Sequence, residues 1–283
     1  MTRRDKDESS EFARENDDSS REFVRALARG LAVIESFEAI RHPLTLSEIA
    51  ARTKLNRGTV RRALITLNAL GYLSDERGRF TLTPRVLRLG YSYLSSQPVW
   101  ALARPYVETV SVKTGETASL AVLDAGMIVY VLRATAPRLL NDALSIGTRL
   151  PAYCASMGRV LLAGLPESEL DRYLRKTEFR QLTPFTVIDA DRLKAIIALT
   201  RETGFAVNDQ EMEVGLRSIA VPITNLEGTV VAALNVSCST ARVSHVEMEK
   251  NFLPVLKSAA HEIFDLLVHS GIGSLQRAAT PEY

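Results

Sequence analysis

The stretch TLSEIAARTKLNRGTVRRALITLNALGYL, Thr45–Leu73, places two helix starts and one helix stop in a short span. Thr45 and Glu48 stand three apart just before Ile49, the spacing of a capping box, and open a short helix towards Thr53. KLN follows as a tight turn, and Asn56 caps the next helix. Val60, Ala63, Leu64, Leu67 and Leu70 form that helix's predicted buried stripe, and Gly71 is its left-handed stop. Arg57, Arg61 and Arg62 fall off the stripe, with Arg57 and Arg61 four apart on one face.

Working outward, FVRALARGLAVIESF places Phe23, Leu27, Leu31, Ile34 and Phe37 near helical spacing, which predicts a preceding helix closed by Pro43. After Gly71 the period changes from helical to alternating. YLSDERGRFTLTP reads as strand, turn at Gly78, strand and exit at Pro84. Three helices followed by a hairpin make a winged helix-turn-helix over residues 21–84. The basic helix has the width that fits the B-DNA major groove, where arginine pairs bidentately with guanine. Thr59 is a candidate contact to phosphate or to a thymine methyl. The first-turn amides around Gly58 suit a phosphate, and Arg77 and Arg79, flanking Gly78, suit a phosphate or the minor groove.

Charge follows the same division. Residues 1–20 hold four basic and seven acidic side chains, giving −3, whereas residues 21–90 hold thirteen and six, giving +7. The rest holds eighteen and twenty, giving −2, so the overall +2 conceals one strongly basic segment. Such a field attracts a polyanion. With 46% hydrophobic and 24% charged residues the chain reads as globular, and no apolar run approaches the roughly 20 residues that span a bilayer. Two cysteines form no disulfide framework, four scattered histidines have no metal-ligand spacing, and no glycine-rich nucleotide loop is present. No cofactor, no metal and no membrane partner are expected, and a cytoplasmic location fits the cysteine usage.

Residues 1–20 read as a disordered tail, 85–98 as a linker helix (RVLRLGYSYLSS), 99–269 as a second domain and 270–283 as a loose tail. In the second domain VWALARPYVETVSVKTG reads as a long helix, and TASLAVLDAGMIVYVLRAT as two strands about the Asp124–Gly126 turn. ESELDRYLRK and ADRLKAIIALTRETG are amphipathic helices, RSIAVPI and GTVVAALNVSC are strands, and one final helix runs from about Ser244 to Val268. The sum is an α+β domain with an antiparallel sheet.

YCASMGRV places Cys154, Ser156 and Gly158 ahead of an apolar helix, whose N-terminus suits a carboxylate; Ser156 could equally be a plain cap. Asn235 and Ser237 alternate with Leu234 and Val236, so they face either a pocket or solvent. Arg133 is an anion partner or a surface ion pair. Cys154 would be a nucleophile only with His245 or His261 beside it, and otherwise a packed or pocket-lining thiol. Asp209, Glu211 and Glu213 read as metal-ligand candidates or as an exposed acidic loop.

RALARGLAVIESF, the quoted stretch, YCASMGRVLLAGLP, GFAVNDQEMEVGLRSIAVPI and LNVSCSTARVS together resemble the IclR family of bacterial transcription regulators, in family order over residues 23–268. YCASMGRVLLA and NVSCSTARVS resemble in particular the branch controlling protocatechuate and β-ketoadipate pathway genes. The resemblance implies a winged helix-turn-helix joined by a helix to a GAF-like effector domain. It implies a homodimer paired through the DNA-binding region, or a dimer of dimers through the effector regions, on double-stranded operator DNA, with contact to RNA polymerase. The carried-over DNA-binding positions are Thr45, Asn56, Arg57, Thr59, Arg61, Arg62, Arg77 and Arg79. Many relatives carry serine where Asn56 and Gly58 stand here; Asn56 keeps a cap, while Gly58 loses a hydroxyl.

Effector contacts are implied at Ser119, Arg133, Cys154, Ser156, Met157, Gly158, Asp209, Glu211, Ser218, Asn235 and Ser237. The effector would be a small organic acid such as protocatechuate, 4-hydroxybenzoate or β-ketoadipate, acting on a repressor or activator. The alternatives are a ligand-independent architectural DNA-binding protein and, further off, a cysteine-dependent enzyme.

Overall fold

The computed structural model describes residues 23–38, 40–136 and 144–269, so the expected tails lie outside the described residues. The chain divides into one unit ending at Tyr93 and a second beginning at Leu94. In the first unit, helix α1 (Arg25–Glu35) precedes strand β1 (Leu44–Thr45), helix α2 (Leu46–Thr53) and helix α3 (Arg57–Ala69). Strands β2 (Leu73–Glu76) and β3 (Arg79–Leu82) form the wing, and β1 adds to it antiparallel in the order β1-β3-β2.

The local signals act as their chemistry requires. Thr45 Oγ1 accepts from Glu48 N–H, and the Glu48 carboxylate accepts from Thr45 N–H, closing the capping box. Asn56 Oδ1 accepts from Thr59 N–H at 2.9 Å. Beyond α3, Gly71 takes φ 78°, which lets Tyr72 N–H reach Leu67 O at 2.9 Å and ends the helix. Arg77 and Gly78, with φ 56° and 79°, supply the two left-handed residues of a tight hairpin turn.

Val33, Phe37, Leu44, Ile49, Val60, Leu64, Leu67, Leu73 and Phe80 form the core of this unit. One expectation needs correction. Leu70, assigned to the buried stripe, is 50% exposed, because the chain turns away at Gly71 before anything covers it. The first helix forms as expected: Phe23, Leu27 and Leu31 are exposed, while Val33 and, just past the helix end, Phe37 enter the core and Ile34 packs against it.

Helix α4 (Leu87–Ser96) follows a single 3-10 turn at Pro84–Val86 and crosses the division between units. The second unit is built on six antiparallel strands: β4 (Thr117–Asp124), β5 (Met127–Ala134), β6 (Arg149–Pro151), β7 (Ala206–Asp209), β8 (Leu216–Thr224) and β9 (Val230–Ser239). Their spatial order is β6-β5-β4-β9-β8-β7. Helices α5 (Pro98–Thr114) and α10 (Leu253–His269) cover one face, meeting Leu120, Ile219 and Leu234 through Val107 and Ile263. Helices α6 (Ser156–Ala163), α7 (Glu167–Lys176) and α8 (Ala190–Thr203) cover the other, meeting Ala121, Ala220 and Ala233.

The expected single C-terminal helix is two, α9 (His245–Asn251) and α10, broken at Phe252. Pro254 explains the break, since it has no N–H to donate and its ring clashes with a continuing turn.

Candidate functional site

In the first unit Arg57, Arg61 and Arg62 are exposed on α3, and Arg77 and Arg79 are exposed on the wing. Thr59, expected among the DNA contacts, is buried at 7% exposure, and its N–H is held by Asn56. Thr45 and Asn56 spend their side-chain oxygens on caps. Lys54, exposed and left-handed at φ 54° in the turn between α2 and α3, adds a cation that the sequence reading did not single out.

In the second unit the register gathers a polar set on the α6 face. Ser119 pairs across the sheet with Arg133 on one side and Asn235 on the other, and Asn235 pairs with Ala220. The adjacent row runs Thr117, Ser237, Ser218 and Asn208. Alternation assigns the face, since Ala118, Leu120, Leu234 and Val236 pack against α5 and α10. Ser119 and Asn235 therefore point the other way, and both are buried.

Helix α6 closes over these rows. Every one of its residues is buried, and Ser156 Oγ lies 2.8 Å from Ser218 Oγ. A Cβ on Gly158 would lie 2.0 Å from Ala152 O, so only glycine lets the helix sit this close to the turn before it. Asn208 Nδ2 donates to Cys154 O at 2.8 Å and fixes that turn. Asn208 escaped the sequence reading; its place in the same row as Ser218 and Ser237 is the signal, and it needs the register.

Asn235 Oδ1 is buried with no hydrogen-bond partner among the described residues. A buried acceptor left this way is disfavoured by about 1–3 kcal/mol until a donor reaches it.

Two expected contacts separate from this set. Asp209 alternates to the opposite face, where Arg217 Nε and Nη2 hold its carboxylate at 3.0 and 2.8 Å. Glu211 is not on an exposed acidic loop: it is buried and paired with Arg159 at 2.7 Å. The arginine inside the apolar run SMGRVLLA is the sequence signal for such a partner. Among the described residues no group of histidine, cysteine and carboxylate is arranged to hold a metal.

Cys154 and Met157 are fully packed, and burial pushes the Cys154 thiol up to about 12, with the Glu211 carboxylate adding to the shift. A thiol held protonated is a poor nucleophile. His245 and His261, the bases considered for it, belong to α9 and α10 on the other side of the sheet.

Comparison with known proteins decides between regulator and enzyme. Residues 26–77 match the IclR helix-turn-helix domain, and residues 91–264 match the bacterial transcriptional regulator IclR C-terminal domain. The chain belongs to the IclR family. It is 45% identical to the Pca regulon regulatory protein of Pseudomonas putida, over 86% of this chain and 84% of the relative. It is 35% identical to the p-hydroxybenzoate hydroxylase transcriptional activator of Acinetobacter baylyi, over 87% of this chain and 93% of the relative.

Among solved structures, an IclR homologue from Microbacterium hydrocarbonoxydans complexed with 4-hydroxybenzoate superposes with TM-score 0.71 at 27% identity. That match covers 86% of this chain and 99% of the homologue. This IclR-family chain is a DNA-binding transcription regulator with a separate effector domain, and not a cysteine-dependent enzyme. No helix among the described residues is long and apolar enough to cross a membrane.

Proposed function

We propose that the second unit binds a small aromatic or dicarboxylic acid between α6 and the polar rows of the sheet, and that occupancy changes operator binding or promoter output by the first unit. The observation that carries this reading is the partnerless Asn235 Oδ1, buried on the face that α6 covers. An acid with a hydroxyl at its far end offers that acceptor a donor. Its carboxylate suits the amides of the first turn of α6 and the Ser156 and Ser218 hydroxyls. The names of the two relatives and the 4-hydroxybenzoate complex of the homologue favour the same ligand class. Protocatechuate, 4-hydroxybenzoate and β-ketoadipate are the candidates.

Arg57, Arg61 and Arg62 would enter the major groove, with Arg77 and Arg79 on the flanking backbone or minor groove. The operator is read by a homodimer, or a dimer of dimers, and the exposed Phe23, Leu27 and Leu31 stripe supports pairing through α1. RNA polymerase contact, a GAF-like fold for the effector domain and a cytoplasmic location belong to the same reading.

Calorimetric titration of the three acids into wild type and Asn235→Leu tests it. Wild type should bind at least one acid, and the variant should bind that acid more weakly while its acid-free operator affinity is unchanged. Equal affinity in the two proteins would remove Asn235 from the site.

A further inference from the structure

Arg159 is the one charged side chain of the buried helix α6, and all of its nitrogens point inward. Nη2 pairs with the Glu211 carboxylate at 2.7 Å, Nη1 donates to Val207 O at 3.2 Å, and Nε donates to Tyr153 O at 3.3 Å. Glu211 Oε2 also accepts from Val187 N–H at 3.0 Å.

The segment 178–188 hangs on these groups. Thr186 Oγ1 donates to Glu211 O at 2.6 Å and accepts from Leu182 N–H and Thr183 N–H. At the segment's other end, Tyr153 Oη donates to Arg180 O at 2.8 Å and accepts from Arg180 N–H at 3.0 Å. Tyr153 lies just before α6, so both ends of the segment are tied to the start of that helix. The amides of Arg180, Leu182, Thr183, Phe185 and Val187 are held by side chains, with Thr186 N–H on Thr183 O, and the segment joins no strand ladder, so its order depends on those side chains.

We propose that Arg159 is a positioning residue: through Glu211 it joins the N-terminus of α6 and the segment 178–188 into one cooperative unit, whose integrity sets the affinity of the acid site. This rests on the effector reading above. A buried ion pair has few alternative arrangements, so loosening either side releases the other.

The test uses the full-length protein, with amide hydrogen exchange and acid titration on wild type, Thr186→Val and the double variant Arg159→Met/Glu211→Leu. The double variant removes both charges together, so it strands neither in the interior. Without ligand, exchange should accelerate in 182–187 and in the first turn of α6 together, by about 2- to 30-fold, in both variants. The α10 amides, on the other face of the sheet, should hold.

Binding of 4-hydroxybenzoate, protocatechuate or β-ketoadipate should weaken in the same range, even though Thr186→Val removes no group from the acid site. Faster exchange confined to 182–187, with α6 and acid affinity unchanged, overturns the proposal. If wild type binds none of the three acids, the effector reading fails, and the ligand-free exchange still decides the coupling.

Discussion

Ser156 Oγ and Ser218 Oγ meet at 2.8 Å, joining the first residue of helix α6 to strand β8. One hydroxyl donates to the other, and the accepting hydroxyl keeps its own proton, which a carboxylate entering beside the pair can take. Replacing Ser218 with alanine should weaken acid binding by about 1.5–3 kcal/mol, the range for a hydrogen bond to a charged group. Calorimetry measures this, and unchanged affinity would place the carboxylate elsewhere.

Arg61 is exposed on α3, one turn beyond Arg57. Arg61→Ala should cost about 1–3 kcal/mol on the operator if the guanidinium reads a guanine. Binding to random DNA should change much less. Equal losses on both duplexes in an anisotropy titration would assign Arg61 to the phosphate backbone.

Gly158 has no room for a side chain, since an added Cβ would meet Ala152 backbone atoms. Gly158→Ala should therefore destabilise the second unit by about 1–3 kcal/mol or more, because backbone must move. Chemical denaturation followed in that unit checks it, and a wild-type midpoint would show that α6 can shift at little cost.

Burial holds the Cys154 thiol at about 12 and the Cys238 thiol at about 11, against an ordinary value of 9.0. Both folded values lie above the unfolded one, so the unfolded chain loses these protons first as pH rises. The contribution is fully present below about pH 9 and is lost progressively towards the folded values. Cys154→Ala/Cys238→Ala should flatten the fall in stability between pH 9 and 11, measured by denaturant midpoints. Native protein at pH 8 should also resist thiol alkylation at Cys154 until it is unfolded.

Much of the fold was legible because its signals are local. Thr45 with Glu48, Asn56, Gly71 and the Arg77–Gly78 turn each act within a few residues, through hydrogen bonds or φ angles that residue type dictates. Periodicity was less informative about burial. It places Phe23, Leu27 and Leu31 on one helix face, but what lies opposite that face depends on tertiary packing, and here they are exposed.

Alternation along β9 put Asn235 and Ser237 on one side, while the register with β4 and β8 was needed to bring in Ser119 and Ser218. Arg159 and Glu211 lie 52 residues apart; a lone arginine in an apolar run calls for a buried partner, but only the fold says which carboxylate it is. Asp209 turns to the far face because it ends strand β7 and does not belong to a loop.

The most direct measurement is a gel-shift titration of the full-length protein on DNA immediately upstream of its own gene, with a scrambled duplex alongside. Each of the three acids is then added in turn. Selective binding to the upstream duplex, changed by at least one acid and changed less by the same concentration of that acid in Asn235→Leu, is the expected result. Equal, strongly salt-dependent binding to both duplexes, unaffected by any of the acids, would contradict an acid-responsive operator reader.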